Sequence, residues 1–305
     1  MPIKFAFLVL PQIHLMDLAG PDQTILEAMD YGAEFKIEYY GLGDGPQTTA
    51  GLNLGKTKPF KKAWLQAGDY LILPGSSVDF LMSKSFLQNE VLFKWLRNQY
   101  ANGVHLVSVC AGAFVLGLAG LLDGRRCTTH FKRTAQLQKR FPLARVEENM
   151  LFVEDEGIFT SAGIASGIDL MLHIVERLQG SYFAHKVARE LVIYNRRDGN
   201  QKQQSALLQF RNHIHSGIHL VQDYLIEHTD RKHRIVDLAE MANMSERNFT
   251  RIFKQETGTT VIQFLNSIRA ELARQWMKNP DLSKIQIAAK LGLRSERQLN
   301  RILQQ

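Results

Sequence analysis

The sequence predicts two folds in one chain: a doubly wound, mostly parallel α/β sheet over residues 1–194 and an all-α domain with two helix-turn-helix motifs over 205–305, joined by a polar linker at 195–204. Three observations predict this. Near-continuous apolar runs alternate with helix-spaced segments through the first 180 or so residues, the pattern of strands covered on both faces. An eleven-residue motif recurs at an offset of 50 near the C-terminus. The charge is uneven as well: residues 1–200 hold 21 Lys+Arg against 20 Asp+Glu, whereas 201–305 hold 16 against 10, so nearly all of the net +7 lies in the last third.

The elements follow in order. Lys4 to Leu10 reads as a buried strand, and Leu15 to Met29 as a helix broken at Gly20-Pro21. Phe35 to Tyr39 is a second strand, and Asp69 to Leu73 a third that ends in the turn Pro74-Gly75. Asn89 to Asn102 is an amphipathic helix closed by Gly103. Val104 to Val109 is a strand that runs directly into a helix from Ala111 to Gly120. A long helical stretch is expected from Ile168 to Tyr194. The polar stretch from Asn195 has Gly199 inside it and no apolar period, which marks the linker.

The repeat sets Ser245-Glu246-Arg247-Asn248-Phe249-Thr250-Arg251-Ile252-Phe253-Lys254-Gln255 against Ser295 to Gln305, with six of eleven positions identical. The preceding stretches align at the same offset, Ile235 with Ile285, Ala239 with Ala289 and Met241 with Leu291. Each copy has a short apolar helix, a tight turn and a second helix whose N-cap is Ser245 or Ser295, with the hydroxyl expected to accept a backbone N–H. Phe249, Ile252 and Phe253 share one face of that helix, and Arg247, Thr250, Arg251 and Lys254 the other. Such a helix can dock on its own domain and still offer arginines to a major groove. Ser245, Arg247, Asn248, Arg251, Arg297, Gln298 and Arg301 are the expected DNA contacts, with Lys254 nearer a phosphate.

These motifs resemble the DNA-binding domain of AraC/XylS-type regulators. The matching residues are Asp237-Leu238-Ala239, Ser245-x-Arg247, Arg251-x-Phe253-Lys254, Gly258, Phe264-Leu265, Arg269, Ala273, Ile287-Ala288 and Gly292. The resemblance implies two helix-turn-helices joined by a long helix, here Val261 to Lys278, that read adjacent major-groove segments of double-stranded DNA. Two departures bear on packing. Leu293 stands where Phe is usual, and the sequence lacks the Gly–Pro–aromatic–Arg segment that follows the second recognition helix in the family. A weakly packed last helix is therefore expected.

Cys110 carries the chemistry of the first domain. It lies between a strand and a helix, where a sharp turn exposes a nucleophile and free N–H groups at the helix start favour a thiolate. Asp17 and His130 are candidate companions, although either is explained equally well by a cap or a local loop role. Cys127 reads as a core residue. Residues 3–180 resemble the ThiJ/PfpI domain of the class I glutamine-amidotransferase-like superfamily, on Asp17 to Pro21, Leu73-Pro74-Gly75, Ser108 to Ala113, Gly120 to Arg126, Thr128-Thr129-His130 and Thr160 to Gly163. The resemblance implies a flavodoxin-like sheet with Cys110 at the nucleophile elbow and Asp17 facing it. The N–H groups of Gly75 and Ala111 would line an anion pocket near His130. Isonitrile hydratase-like enzymes carry a similar Asp and Cys. The domain order is that of GlxA-type regulators, whose first domain senses a small metabolite.

Other signals point away from further chemistry. Two cysteines make no disulfide framework, and no run of some 18 apolar residues could span a membrane. The start lacks a basic n-region and a cleavage site, so a cytoplasmic location is expected. His215 and His219 stand four apart but lack a completing ligand, and Gly41 to Gly45 is a turn without the Lys of a phosphate loop, so neither a metal nor a cofactor is expected. The sequence therefore reads as a DNA-binding transcription regulator, a homodimer controlled by a small, nitrogenous effector. The alternatives are a cysteine-dependent hydratase or amide hydrolase acting through Cys110, and a redox sensor in which Cys110 is oxidised.

Overall fold

The computed structural model describes residues 2–43, 45–193, 199, 203, 210, 213–277, 279 and 281–304. The chain divides into two compact units, Met1–Gln203 and Gln204–Gln305. The expected linker lies outside the described residues except for Gly199 and Gln203. Both of these bond to the first unit: Leu151 donates its N–H to the Gly199 carbonyl at 3.0 Å, and Gln203 donates its own to Asn149 at 3.1 Å.

The first unit holds β1 (Ile3–Val9), α1 (Leu15–Asp30), β2 (Phe35–Gly41), β3 (Lys58–Pro59), β4 (Tyr70–Leu73), α2 (Val78–Leu81), α3 (Lys84–Leu87), α4 (Glu90–Ala101), β5 (His105–Val109), α5 (Gly112–Leu118), β6 (Arg126–Cys127), α6 (Thr134–Arg140), β7 (Arg145–Val146), β8 (Phe152–Asp155), β9 (Ile158–Ser161), α7 (Ala165–Gln179) and α8 (Ser181–Glu190). Seven strands form one sheet in the order β3-β2-β1-β4-β5-β9-β8. The pairs are parallel except β8 with β9, whose hairpin turns at Glu156 and Gly157, both at positive φ. Helices cover both faces, so Phe5 to Leu10 is buried without interruption. From β1 the chain steps to β2 on one side and later to β4 on the other. The loops leaving β1 and β4 therefore diverge, which opens a crevice at their C-terminal ends.

Two expectations are corrected here. Gly20-Pro21 does not break α1, which runs unbroken through Pro21. A proline deep in a helix removes one N–H, but Gly20, Pro21 and Thr24 face inward and the helix is held along that buried side. The helical stretch expected from Ile168 is interrupted, because Gly180 at φ 88° ends α7 and starts α8. No carbonyl-to-amide ladder continues through that conformation.

The second unit holds α9 (Ser216–Glu227), α10 (Ile235–Met241), α11 (Glu246–Thr257), α12 (Val261–Trp276), α13 (Lys284–Lys290) and α14 (Glu296–Leu303). It has two small cores. Phe249, Phe253 and Phe264 anchor the first, and Leu291, Leu299 and Ile302 the second, with Leu272 of α12 packed against both. Leu293 joins the second core as a partly buried residue, and Leu299 and Ile302 of the last helix are buried. The offset of 50 applies to the recognition helices α11 and α14 but not to the helices before them. Ile285 is 67% exposed. The buried residues Leu238, Ala239 and Ala242 instead match Ile287, Ala288 and Leu291, an offset of 49. The second turn is one residue longer, 291–295 against 242–245. The left-handed position moves with it: Asn243 has φ 54° and Gly292 φ 65°.

Candidate functional site

Strand β5 delivers Cys110 at its C-terminal end with φ 54°. A residue with a β-carbon is held there at a cost of about 1–3 kcal/mol. Bonds on both sides hold it: the Cys110 N–H donates to the Ser161 carbonyl at 3.0 Å, and the Cys110 carbonyl accepts the Thr129 hydroxyl at 2.8 Å. Glycine is required around it. A β-carbon on Gly163 would fall 2.1 Å from that of Cys110, and one on Gly75 would fall 2.4 Å from Asp17 Oδ2 and 3.1 Å from the Ala111 nitrogen.

Asp17, in the first turn of α1, is fully buried. Its Oδ1 accepts the N–H of Ile164 at 2.6 Å across the crevice, from a residue that itself has φ 52°. Its Oδ2 lies 3.3 Å from His14 Nδ1. One donor atom each from His14, Asp17 and Cys110 lie within 4.8 Å of one another. Among the described residues this is the only such cluster of His, Cys, Asp and Glu, so His215 and His219 do not form one. His14 is the residue that sequence reading missed. Its place three residues before Asp17, at the start of α1, was the available signal.

Burial works against the expected thiolate. Cys110 is 7% exposed, and its thiol is pushed well above the ordinary cysteine range. Burial is the largest cause and the Asp17 charge the next; the Ala111 N–H pulls the other way, a hydrogen bond to Asp17 raises it again, and Arg133 lowers it. The elbow geometry is present, but the seven-residue α5 starts in a buried crevice that already holds a carboxylate, so its N-terminus does not prevail. The Asp17 carboxylate lies close to Gly75, and an anion bound beside it would meet its charge. His130 stands outside the cluster. It is half-buried, its Nδ1 accepts the Lys132 N–H at 3.4 Å, and burial and Lys132 depress its pKa.

A second candidate surface lies on the recognition helices. Arg247, Asn248, Arg251 and Lys254 of α11 are exposed, as are Arg297 and Arg301 of α14. Arg251 Nη2 donates to Asn248 Oδ1 at 2.9 Å and Nη1 to Gln255 Oε1 at 3.2 Å, so the side chains are braced along the helix. The two caps differ. Ser295 accepts the Gln298 N–H at 3.3 Å as expected, whereas Ser245 takes the N-cap position without a side-chain bond. The Gln298 side-chain oxygen accepts the Arg294 N–H at 2.8 Å and so secures the start of α14.

With this geometry in view, the similarities are informative. Residues 3–177 match the DJ-1/PfpI family and residues 238–305 a helix-turn-helix domain. The HTH-type transcriptional regulator CdhR of Pseudomonas aeruginosa is 27% identical over 95% of this chain and 85% of its own length. Isonitrile hydratase of Pseudomonas putida is 31% identical, over 63% of this chain and 78% of the enzyme. A crystal structure of an AraC family transcriptional regulator from Pseudomonas putida superposes with a TM-score of 0.55 at 27% identity, over 62% of this chain and all of that one.

Proposed function

Because this chain belongs to the DJ-1/PfpI family and carries an AraC-type helix-turn-helix domain, we propose that it is a DNA-binding transcription regulator whose first domain senses a small metabolite. The observation that carries the sensing half is a run of hydrogen bonds from the crevice to the chain that leads out of it. The Cys110 carbonyl accepts the Thr129 hydroxyl, and the Thr129 carbonyl accepts the Gln203 side-chain amide at 2.8 Å. The same amide nitrogen donates to Met150 O at 2.9 Å. Gln203 ends the first unit and is followed directly by Gln204 of the second. A ligand that displaces the loop at Thr129 acts on this attachment.

The crevice favours a neutral or cationic nitrogenous ligand. The Asp17 carboxylate is fully buried, and its charge attracts a cation or a polarised N–H and repels an anion. Arg247, Asn248, Arg251, Arg297 and Arg301 meet bases, and Lys254 a phosphate. The regulator works as a homodimer in the cytoplasm. Among the described residues no helix is long and apolar enough to cross a membrane. The enzyme reading draws on Asp17 beside Cys110 and on the hydratase similarity. The burial of Cys110 opposes its ionisation, and a thiol is a weaker nucleophile than a thiolate.

The test is binding of the full-length protein to DNA from upstream of its own and neighbouring genes, at two salt concentrations with a random competitor. Specific binding that falls steeply with salt supports the regulator. Adding metabolite pools should change the affinity, and Gln203→Ala should abolish that change while leaving DNA binding intact. Weak binding that is equal on all sequences, with and without the pools, refutes the reading. Turnover of an isonitrile or amide that is lost in Cys110→Ser promotes the enzyme.

A further inference from the structure

A groove of about 450 Å³ lies between the α9–α10 loop, the connecting helix α12 and the second helix-turn-helix, and it extends beyond the expected DNA contacts Gln298 and Arg301. Arg231 and Lys232, in the loop between α9 and α10, line it together with Arg294 in the turn before α14 and Arg301 on α14. None of its lining residues is acidic. The nearest carboxylate pairing is weak: Arg231 Nε is 3.8 Å from Asp230 Oδ1, and both side chains are more than half exposed.

The loop is built into place. Arg269 of α12 is buried, and it donates from Nε to the Thr229 carbonyl and from Nη2 to the Arg231 carbonyl, each at 2.8 Å. From the other motif, Gly292 sits so close that a β-carbon there would fall 2.1 Å from the Asp230 carbonyl. The α9–α10 loop is thus fixed to the connecting helix and against the second motif's turn. Its two cations are held beside the second recognition helix.

We propose that this groove is a DNA-backbone site, in which Arg231, Lys232 and Arg294 bind phosphates of the duplex whose bases face α14. The proposal rests on the DNA-binding reading and extends it from bases to backbone. Guanidinium and ammonium groups without a competing carboxylate suit phosphodiester oxygens. Arg301 lies both in the groove and among the expected base contacts, so a duplex seated on α14 brings its phosphates to the loop. Backbone contacts add affinity and salt dependence without reading sequence.

The experiment compares the full-length protein with Arg231→Ala/Lys232→Ala and Arg294→Ala on two duplexes. One is a random-sequence duplex, and the other is selected from a random pool by the wild-type protein. The affected side chains are exposed, and circular dichroism checks the fold of each variant. Each lost phosphate contact should lower the slope of log K against log salt by about 0.9 and weaken binding roughly fivefold at 0.15 M salt. The loss should be equal on both duplexes, whereas Arg251→Ala should weaken the selected duplex more than the random one. An unchanged slope, or a loss confined to the selected duplex, overturns the groove while leaving the regulator standing. If the wild-type protein binds neither duplex in a salt-dependent way, both readings fall together.

Discussion

Burial and the Asp17 charge both oppose ionisation of the Cys110 thiol, and removing the charge should ease it. Asp17→Asn keeps an oxygen for the Ile164 N–H and deletes the negative charge. With donor atoms of the two residues within 4.8 Å, a unit charge acts on the thiolate with roughly 3.5 kcal/mol at an effective dielectric of about 20. That is about 2.5 pH units in the thiol's ionisation. Burial remains, so the substituted protein still ionises above a free cysteine. The thiolate fraction at a fixed pH nevertheless rises on the order of a hundredfold. The assay is the rate of iodoacetamide alkylation between pH 6 and 10, read by mass on the peptides bearing Cys110 and Cys127. Cys127 is an internal control, because burial pushes it up to about 12 and its carboxylate neighbours are Glu147 and Asp155. Wild-type Cys110 should alkylate slowly with no plateau below pH 9, and Asp17→Asn should accelerate it while Cys127 stays unchanged. The reasoning is refuted if wild-type Cys110 titrates near or below the free-cysteine value, or if Asp17→Asn leaves its rate unaltered. The first result would return the crevice to nucleophilic chemistry; the second would leave burial alone opposing the thiolate.

Three further outcomes are expected. Gly163→Ala forces a β-carbon against Cys110 at φ 88° and should destabilise the first unit by about 1–3 kcal/mol, seen as a lower midpoint in thermal unfolding; a midpoint unchanged from wild type would count against the close approach. Arg269→Met leaves the Thr229 and Arg231 carbonyls without their donor and should cost about 2–4 kcal/mol in urea denaturation, with Arg269→Lys recovering only part of it. His105 is held below the ordinary histidine value, chiefly by burial and then by Arg177. The native protein therefore binds fewer protons there than the unfolded chain, so this contribution is full above about pH 6.5 and is lost as pH falls below it. The urea midpoint should drop between pH 7.5 and 5.5, and His105→Gln should shrink that drop.

Much of the architecture was legible because it rests on local pattern. The apolar run from Phe5 to Leu10 needs only a strand covered on both faces, and the repeated Ser-Glu-Arg motif needs only the period of a helix. Asn89 and Asn102 bound α4 as the sequence indicated. The hairpin of β8 and β9 left no comparable trace, since its strands have four residues each and depend on pairing at the sheet edge. The register of the second motif was misjudged by one residue in its first helix. Ile285 and Ile287 look alike in sequence, and only the packing around Leu291 decides which is buried.

The sequence by itself determined the two folds, their order, the recognition helices and the place of Cys110 at the end of a strand. These follow from periodicity, repetition and charge, which are properties of neighbours along the chain. Tertiary structure alone decided the state of the crevice. His14, Asp17, Cys110 and Ile164 come together because diverging loops meet at the switch point of the sheet, and the protonation of a thiol depends on its burial and on charges that only folding brings near. The basic groove has the same origin. Arg231 and Arg294 are 63 positions apart in the sequence, and they share a surface because Arg269 and Gly292 hold the α9–α10 loop against the second motif.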